Sequence, residues 1–381
     1  MPSSKHEPVY ILDAMRTPVV PRNGAFKQLG VEQLAVPVIQ TLLRRHGLSA
    51  GQIQQVVMGN ALYGGGNPAR LIALAAGVPE TVPAVTIDTQ CCSGMDAIAL
   101  AAEKIQLGKA DIVLAGGVES FSRSAIRLHR PVDGGEAVEY ARPPFTPWSD
   151  RDPDMTFSAA QVAQDFKIDR QQQHEWVINS HKKALGAKPA LSEECVEIAG
   201  VTVDAATRVM SEKLCQRSPI IAGEGDMAID VASTALEADA AAWLILVSER
   251  WARQHHKTVD VVWQDCLSVG TWADKPPLAA AVACEQLLHS HKLDVNNLAV
   301  IELMEAFAVQ SVVNAQALDL PLERINLSGG ALARGHPIGA SGAILLVRLW
   351  HELLRQPPES IGLAGIAAAG GLGSATLLRR E

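Results

Sequence analysis

Cys91 is the residue whose type and position best suit covalent chemistry. It lies in the turn 88–94 (Asp-Thr-Gln-Cys-Cys-Ser-Gly), where the apolar run 82–87 ends and an Ala-rich helical stretch begins. A thiol in the first turn of a helix faces unpaired backbone N–H groups and the positive end of the helix dipole, and both favour the thiolate. The turn therefore predicts a nucleophilic cysteine with a lowered pKa. The alternative is a buried cysteine that packs as a small hydrophobic side chain.

The overall composition is that of a globular chain. Its 381 residues suggest two or three domains, and hydrophobic residues make up 48% of the chain against 19% charged residues. This balance excludes a disordered chain. The formal net charge of -8 provides no positive surface for nucleic acid or anionic membranes. We therefore expect neither a nucleic acid nor a membrane among its partners.

The cysteines and the start of the chain indicate a reducing compartment. Six cysteines are scattered without any CxxC spacing, which argues against both a zinc site and a disulfide framework. The residues from Met1 lead into the strand-like run 9–12 without an apolar signal core, and no apolar run approaches the length of a membrane span. We expect a soluble cytoplasmic protein that binds no metal.

The elements that must position Cys91 alternate between strand-like and helical runs. Such alternation predicts an α/β architecture. The run 110–115 is apolar on both faces, as expected of a strand covered by helices on both sides, and we expect it to end at Gly116 and Gly117. The predicted strands are 9–12, 56–58, 84–87, 112–114 and 240–247, and the predicted helices are 31–46, 68–76 and 95–107.

The alternation breaks between residues 122 and 221. This segment is rich in proline and carries a polar helix near 170–188 without clean strand alternation, so we interpret it as an inserted loop domain. The domain prediction is an N-terminal half formed by 1–121 and 222–250, a loop domain at 122–221, and a C-terminal half at 251–381.

The C-terminal half repeats the order of the N-terminal half. A short strand at 325–327 precedes a Gly-rich turn at 329–335, residues 339–342 open the apolar helix 343–354, and the strand 361–367 leads to Gly370 and Gly371. An internal duplication explains this order. Two copies packed back to back would bring their central turns together and build one site from two distant segments.

The chain resembles the thiolase family through motifs spread over essentially its whole length. They occur in the family order. They are Ile-Leu-Asp-Ala-Met-Arg-Thr-Pro at 11–18, Asn-Pro-Ala-Arg at 67–70, Cys91 with Ser93 and Gly94, Gly-Gly-Val-Glu-Ser at 116–120, Ser-His-Lys-Lys-Ala at 180–184, Glu-Ala-Phe-Ala at 305–308, Gly-His-Pro-Ile-Gly-Ala-Ser-Gly at 335–342 and Gly-Gly-Leu-Gly at 370–373.

This resemblance implies a fold, a reaction and a set of site residues. The fold is a pair of duplicated βαβαβαββ halves in a layered α-β-α-β-α sandwich with an inserted loop domain. Cys91 would accept the acyl group of an acyl-CoA or 3-ketoacyl-CoA and His336 would activate it, as in other Cys-His pairs. The alternative for His336 is a structural side chain that caps a Gly-rich turn.

By the same resemblance, further residues surround the reacting thioester. The backbone N–H groups of Cys91 and Ala369 would form an oxyanion hole. Coenzyme A enters as part of the substrate, no separate cofactor is implied, and the family assembles as homodimers or homotetramers. The residues expected in the wall of the acyl-CoA channel are Met155, Ser233, Ala306 and Phe307.

Two departures from the family pattern limit the expected chemistry. Ala367 stands where the family has a second catalytic cysteine, and Met304 stands where an Asn or His holds the water of another oxyanion hole. Asp88, in place of Asn before the nucleophile, is a milder change. A positioned acid or base supplies roughly 10²- to 10⁴-fold, and one oxyanion donor about 10²- to 10³-fold. Ordinary thiolysis or condensation is therefore doubtful.

Three functions stay open from the sequence. The first is an acyltransferase that forms acyl-Cys91 and passes the acyl group on by a route that does not need the second cysteine. The second is a turnover-deficient acyl-CoA-binding or assembly subunit. The third is a full thiolase in which a neighbouring group replaces the missing cysteine.

Overall fold

The computed structural model describes residues 7–381, and residues 1–6 of the predicted N-terminal half lie outside the described residues. The helices are α1 Val31–Arg45, α2 Pro68–Ala75, α3 Ser93–Gln106, α4 Met155–Phe166, α5 Arg170–Gly186, α6 Lys188–Glu193, α7 Glu212–Gln216, α8 Glu249–Gln254, α9 Ala279–Ser290, α10 Ala308–Ala317, α11 Ala331–Arg334 and α12 Ile338–Leu353. The strands are β1 Val9–Arg16, β2 Val20–Pro21, β3 Gln55–Gly59, β4 Ala84–Ile87, β5 Ile112–Ser120, β6 Leu128–His129, β7 Val138–Glu139, β8 Ile220–Ala222, β9 Ile229–Asp230, β10 Ala238–Ser248, β11 Val261–Gly270, β12 Leu298–Leu303, β13 Ile361–Ala368 and β14 Leu372–Arg380.

The main strands form two half-sheets that join at one edge. The order is β4-β3-β5-β10-β1 in the first half and β11-β14-β13-β12 in the second. Among residues 7–381, two residue pairs link them, Val9 with Trp263 and Tyr10 with Val262. The long strands β5 and β10 are buried along their whole length, which explains why their sequences are apolar on both faces.

Helices α3 and α12 form a central layer between the two half-sheets. Helix α3 contacts β3 and β5 on one side and β11 and β14 on the other, and α12 contacts β5, β10, β12 and β13. Helices α1 and α2 cover the outer face of the first half-sheet, and α9 covers the second. This arrangement confirms the α/β class and the layered α-β-α-β-α sandwich. Within residues 7–381, no helix combines the length and apolarity needed to cross a bilayer.

The two central helices touch backbone to backbone at two glycines. A Cβ added at Gly94 of α3 would lie 2.7 Å from the backbone nitrogen of Ala343, and one at Gly342 of α12 would lie 2.5 Å from that of Met95. Carbon atoms cannot approach so closely, so only glycine fits at either position. The contact brings the first turns of α3 and α12 together, and these turns follow Cys91 and His336 directly.

Two predicted strand boundaries are wrong. Strand β5 continues through Gly116 and Gly117 to Ser120, because both glycines stay paired with β10. Their missing side chains serve another purpose, since a Cβ at Gly117 would overlap the carbonyl oxygen of Gly339 at the start of α12. The predicted strand 325–327 is reduced to one bridge between Ile301 and Ile325, because the backbone at Asn326 turns into the left-handed region (φ 46°).

The segment 122–221 carries α4 to α7 and the β6-β7 hairpin, and its predicted boundaries stay a prediction. A buried ionic cluster anchors it to both halves. Arg16 of β1 lies 2.6 Å from a carboxylate oxygen of Glu194 and 2.6 Å from one of Asp204, and Arg348 of α12 also pairs with Glu194. The three side chains of Arg16, Glu194 and Arg348 are fully buried. Removing one partner from such a cluster costs about 3–5 kcal/mol.

The glycine contact between α3 and α12 can be tested by stability. We expect Gly94→Ala to lower the free energy of unfolding by about 1–3 kcal/mol, because the new methyl group meets backbone atoms that cannot move independently. Urea denaturation measures the change. The matched control is Gly186→Ala at the end of α5, where a Cβ meets nothing within 4 Å. Equal stability of the two variants would contradict the close approach.

Candidate active site

Cys91 lies on a strained turn between β4 and α3. A single 3-10 turn, Gln90–Cys92, precedes the helix, and Gln90 adopts a left-handed backbone conformation with φ 55°. This conformation is uncommon for residues other than glycine and persists only when neighbours enforce it. Asp88 accepts a hydrogen bond from the Gln90 N–H at 2.9 Å, and the Ser93 hydroxyl oxygen accepts one from the Thr89 N–H at 2.9 Å. These bonds hold the turn that presents the thiol.

The loop before α12 presents His336, and Glu119 of β5 holds this loop in place. The Glu119 carboxylate accepts hydrogen bonds from the Gly339 N–H at 2.9 Å and from the Asn60 side chain at 2.8 Å. The His336 N–H donates to the Leu236 carbonyl oxygen at 2.7 Å. Burial raises the pKa of Glu119 to about 7, although the N–H donors act in the opposite direction. Glu119 thus ties the His336 loop to the sheet of the other half.

Glu305 holds together chain segments on the other side of His336. Its buried carboxylate accepts hydrogen bonds from four donors, which belong to α5, to the loop between α10 and α11 and to the start of α11. They are Trp176 Nε1 at 3.0 Å, Ser180 Oγ at 2.7 Å, Asn326 Nδ2 at 2.7 Å and the Leu332 N–H at 3.1 Å. Because α11 leads directly into His336, Glu305 fixes the position of the segment that carries the imidazole.

The Cys91 sulfur and the His336 imidazole meet at hydrogen-bond distance. Cys91 Sγ lies 3.2 Å from His336 Nε2, and His336 Nδ1 lies 2.6 Å from Ser341 Oγ. The single hydroxyl proton of Ser341 points to the Pro337 carbonyl oxygen at 3.1 Å, so the Ser341 oxygen accepts a hydrogen bond from Nδ1–H. Nε2 therefore carries the lone pair that faces the thiol. This tautomer suits His336 as a base toward Cys91.

The pair is neutral in the ligand-free protein. Burial raises the pKa of the Cys91 thiol to about 12, although the backbone N–H groups of Ala369 and Cys91 face the sulfur and lower the pKa in part. Burial likewise lowers the pKa of His336 to about 4. The prediction of a lowered thiol pKa is therefore wrong, because desolvation outweighs the helix N-terminus at this buried position. The thiol and the imidazole are close enough for a proton to pass from Sγ to Nε2.

The reactive pair lies in the wall of a cavity of about 190 Å³. Apart from the pair, the wall is mostly apolar and includes three of the predicted channel residues, Met155, Ala306 and Phe307. A neighbouring cavity of about 520 Å³ shares Phe121 and Phe145 with it, so the two spaces are adjacent. In the described chain, residues 7–381, no group of three or more His, Cys, Asp or Glu side chains is arranged to hold a metal ion.

Sequence models of the thiolase N-terminal and C-terminal domains match residues 9–250 and 257–380. The chain belongs to the thiolase family. It is 37% identical to the Bacillus subtilis (strain 168) protein named "Putative acetyl-CoA C-acetyltransferase YhfS" over 372 residues, which cover 96% of this chain and 98% of that protein. It is 32% identical to the Staphylococcus aureus (strain MW2) protein named "Putative acetyl-CoA C-acetyltransferase VraB", with 97% and 98% of the two chains covered.

Solved thiolase structures share the whole fold. The Acat5 thiolase from Ascaris suum, solved in complex with coenzyme A, superimposes with a TM-score of 0.91 at 29% identity, and covers 98% of this chain and 100% of that chain. The acetyl-CoA acetyltransferase of Bacillus anthracis superimposes with a TM-score of 0.91 at 30% identity, with both chains covered to 100%. The protein is therefore an acyltransferase of the thiolase type.

Ser233 is the one predicted channel residue that does not line the reactive cavity. It is buried, and its hydroxyl and N–H close a turn with Asp230, accepting from the Asp230 N–H at 3.0 Å and donating to Asp230 Oδ1 at 2.9 Å. Its carbonyl oxygen accepts from the Ala308 N–H at the start of α10. The assignment of Ser233 to the acyl-CoA channel stays a prediction. Thr234 and Ala235, the next two residues, contribute to the wall instead.

The two positions that the resemblance marks as departures from the family pattern lie in different surroundings. Ala367 lines the reactive cavity near the end of β13, where its methyl group offers no acid or base. Met304 follows β12, is buried among apolar side chains and does not belong to the cavity wall. A thioether is a weak hydrogen-bond acceptor and cannot donate, so Met304 provides no substitute for an amide or imidazole.

Sequence reasoning missed several wall residues of the thiolase cavity. Gln310 lies in the first turn of α10, three positions after the predicted wall residue Phe307, and no motif in the sequence marked it. Ser341 was present in a recognised motif, but its bond to His336 depends on the fold. Pro276 and Pro277 carried no signal, because only the packing of their turn against α4 and α10 brings them to the cavity.

The neutral Cys-His pair predicts a steep pH dependence of thiol alkylation. Because the Cys91 pKa is raised to about 12, the thiolate fraction is small at neutral pH and grows as pH rises. We expect the rate of iodoacetamide labelling at Cys91 to increase about tenfold per pH unit between pH 7 and 9. Labelled-peptide mass spectrometry at each pH measures it. A plateau across this range would reveal a preformed thiolate-imidazolium pair and contradict the assignment.

Proposed function

We propose that this thiolase transfers acyl groups from acyl-CoA by way of a thioester on Cys91, and that it performs ordinary carbon-carbon thiolysis or condensation poorly. The observation that carries the proposal is the 3.2 Å contact between Cys91 Sγ and His336 Nε2 at a cavity of about 190 Å³. A thiol, a base with its lone pair aimed at the thiol, and an apolar space for an acyl group are the components of acyl transfer.

The first half-reaction needs only residues that are in place. The Cys91 sulfur attacks the thioester carbonyl carbon while His336 Nε2 takes the thiol proton. The carbonyl oxygen becomes an oxyanion near the backbone N–H groups of Cys91 and Ala369, which already face the sulfur. When the oxyanion collapses, the bond to the coenzyme A sulfur breaks and His336 returns the proton to it. The products are acyl-Cys91 and free coenzyme A.

A neutral resting pair protects the thiol until a substrate is bound. At physiological pH the thiol keeps its proton because its pKa is raised to about 12, and the imidazole stays neutral because its pKa is lowered to about 4. The charges develop only when the oxyanion forms beside the two N–H donors. Preorganised donors are most effective at such a buried, mostly apolar site.

The second half-reaction separates this protein from an ordinary thiolase. Formation or cleavage of a carbon-carbon bond by the family's route requires a group that moves an α-proton, and Ala367 has none. Met304 provides no donor for a second oxyanion. Together these losses are worth on the order of 10⁴-fold or more, although such effects do not simply add. We infer that the acyl group passes to an acceptor that supplies its own nucleophile and needs no α-proton transfer from the enzyme.

Coenzyme A thioesters are the proposed substrates for two reasons. The cavity wall formed by Met155, Ala306 and Phe307 suits an acyl chain or the pantetheine arm. In addition, the Ascaris suum thiolase of the same fold was solved with coenzyme A.

Acylation at Cys91 is the direct test of the proposal. Incubation with acetyl-CoA or butyryl-CoA is expected to add one acyl mass to the intact protein, and the adduct should be absent from Cys91→Ala. Cys266→Ala is the matched control, because that cysteine does not line the cavity and should leave the adduct unchanged. A missing adduct in the wild type would favour an acyl-CoA-binding or assembly subunit.

A thiolysis assay separates the proposal from full thiolase activity. Loss of the acetoacetyl-CoA absorbance with added coenzyme A is expected to be slow in the wild type and faster by about 10²-fold or more in Ala367→Cys, which restores a thiol at the family position. Thiolysis by the wild type at the rate of its own acylation would contradict the role given to Ala367.

We further propose that the protein forms a homodimer through the edge of the first half-sheet. Strand β4 pairs with β3 on one side only within the described chain, and apolar side chains are exposed on and beside it. Val85 of β4 is 41% exposed and Leu100 of α3 is 43% exposed. An unpaired, apolar strand edge is a template for pairing with a second copy about a twofold axis.

The dimer proposal predicts a change of mass in solution. Wild-type protein is expected to elute with the mass of two chains in light-scattering chromatography, and the double variant Val85→Lys, Leu100→Lys with the mass of one. Leu214→Lys, which charges an equally exposed leucine on α7, is the control and should stay dimeric. A wild-type monomer, or a double variant that stays dimeric, would refute this interface.

A further inference from the structure

Gln310 is a buried polar side chain in the wall of the reactive cavity, and its Nε2 atom has no hydrogen-bond partner among the described residues. It lies in the first turns of α10, is 3% exposed, and lines the cavity beside Met155 and Phe307. Its Nε2 atom is buried and donates to no atom of residues 7–381. A buried donor left unpaired carries a free-energy cost, so such a group in a functional cavity calls for a partner that arrives from outside.

Every other polar side chain of the cavity wall is already engaged. Gln90 Nε2 donates to Asp88, the Thr234 hydroxyl donates to the Asp230 carbonyl oxygen, and Glu237 pairs with Arg22 at 2.7 Å. Cys91 and His336 are engaged with each other. Gln310 is therefore the wall side chain whose amide nitrogen donates no hydrogen bond within the described chain, whereas Gln90 Nε2 already donates one to Asp88.

The surroundings of Gln310 select the kind of acceptor. Among residues 7–381 no Lys or Arg lines the cavity, and the carboxylate of Glu237 is part of its wall, so an anion would be poorly stabilised. The neighbouring side chains are apolar, among them Pro276 and Pro277. A neutral carbonyl oxygen on an otherwise apolar chain fits these conditions.

We infer that the Gln310 carboxamide donates a hydrogen bond to a carbonyl oxygen of the bound thioester, and so contributes to substrate selection. The inference rests on the proposed acyl transfer from coenzyme A thioesters. Two parts of such a substrate carry the required oxygen: the 3-keto group of a 3-ketoacyl chain and an amide of the pantetheine arm. Gln310 is a substrate-binding residue in this account and does not move a proton.

The test compares wild-type protein with Gln310→Met, which keeps the length of the side chain and removes both polar atoms. Acylation rates at Cys91 are measured with acetoacetyl-CoA and butyryl-CoA, together with thermal melting temperatures. We expect kcat/KM for acylation to fall about tenfold, as for one lost hydrogen bond, while the melting temperature stays equal or rises because an unpaired donor has been removed. A loss confined to acetoacetyl-CoA assigns the bond to the keto oxygen, and an equal loss with both thioesters assigns it to the pantetheine arm.

Gln173→Met is the matched control. Gln173 is also a fully buried glutamine with one unpaired atom, but it lies on α5 outside the reactive cavity. It should lower the melting temperature, because its Nε2 bonds are lost, and leave acylation unchanged. Wild-type acylation rates in Gln310→Met, or an equal loss of rate in both variants, would overturn the inference.

A binding measurement separates this inference from the proposed function. Calorimetric affinities for the same two thioesters are measured in the Cys91→Ala background with and without Gln310→Met. If the wild type forms no adduct at Cys91, the acyl-transfer proposal fails, yet a roughly tenfold weaker affinity in the Gln310→Met protein still supports the hydrogen bond. Equal affinities with and without the substitution would overturn the bond whatever the fate of the acylation.

Discussion

The close approach of α3 and α12 is the constraint on which the site depends. Gly94 and Gly342 let the two backbones touch, and the same contact places the turn before α3 beside the loop before α12. Cys91 and His336 are 245 residues apart in the chain, yet Sγ and Nε2 lie 3.2 Å apart. If a methyl group pushed the two helices apart, the distance between Sγ and Nε2 would increase, because each turn is fixed to its own helix.

Two buried carboxylates fix the chain segments on either side of His336. Glu119 ties the loop after His336 to the first half-sheet, and Glu305 holds the loop that leads into α11. Neither carboxylate contacts the thiol. Their hydrogen bonds are directed at backbone N–H groups and neutral side chains, so the reactive pair stays in an environment that disfavours charge. Proton transfer from Cys91 to His336 therefore occurs only when a bound thioester provides an oxygen on which negative charge can develop.

The alternation of strand-like and helical runs predicted the α/β class. The ordered motifs, through the resemblance to thiolases, predicted the layered fold and the pairing of Cys91 with His336. Prediction from the sequence failed where the outcome depends on packing. The strand expected at 325–327 is lost to the left-handed turn at Asn326, and Gly117 stays in β5 to make room for α12. The thiol pKa was expected to fall, but burial raises it. Gln310 escaped notice because an unpaired donor is visible only in three dimensions.

A crystal structure of the protein trapped with an acyl group from acetyl-CoA tests the central claim most directly. The account predicts an acyl group on Cys91 Sγ, with its carbonyl oxygen about 2.7–3.1 Å from the backbone nitrogens of Cys91 and Ala369, the range for an oxyanion hole. His336 Nε2 should remain beside the sulfur. An acyl group on another cysteine, or a carbonyl oxygen turned away from both N–H groups, would contradict it.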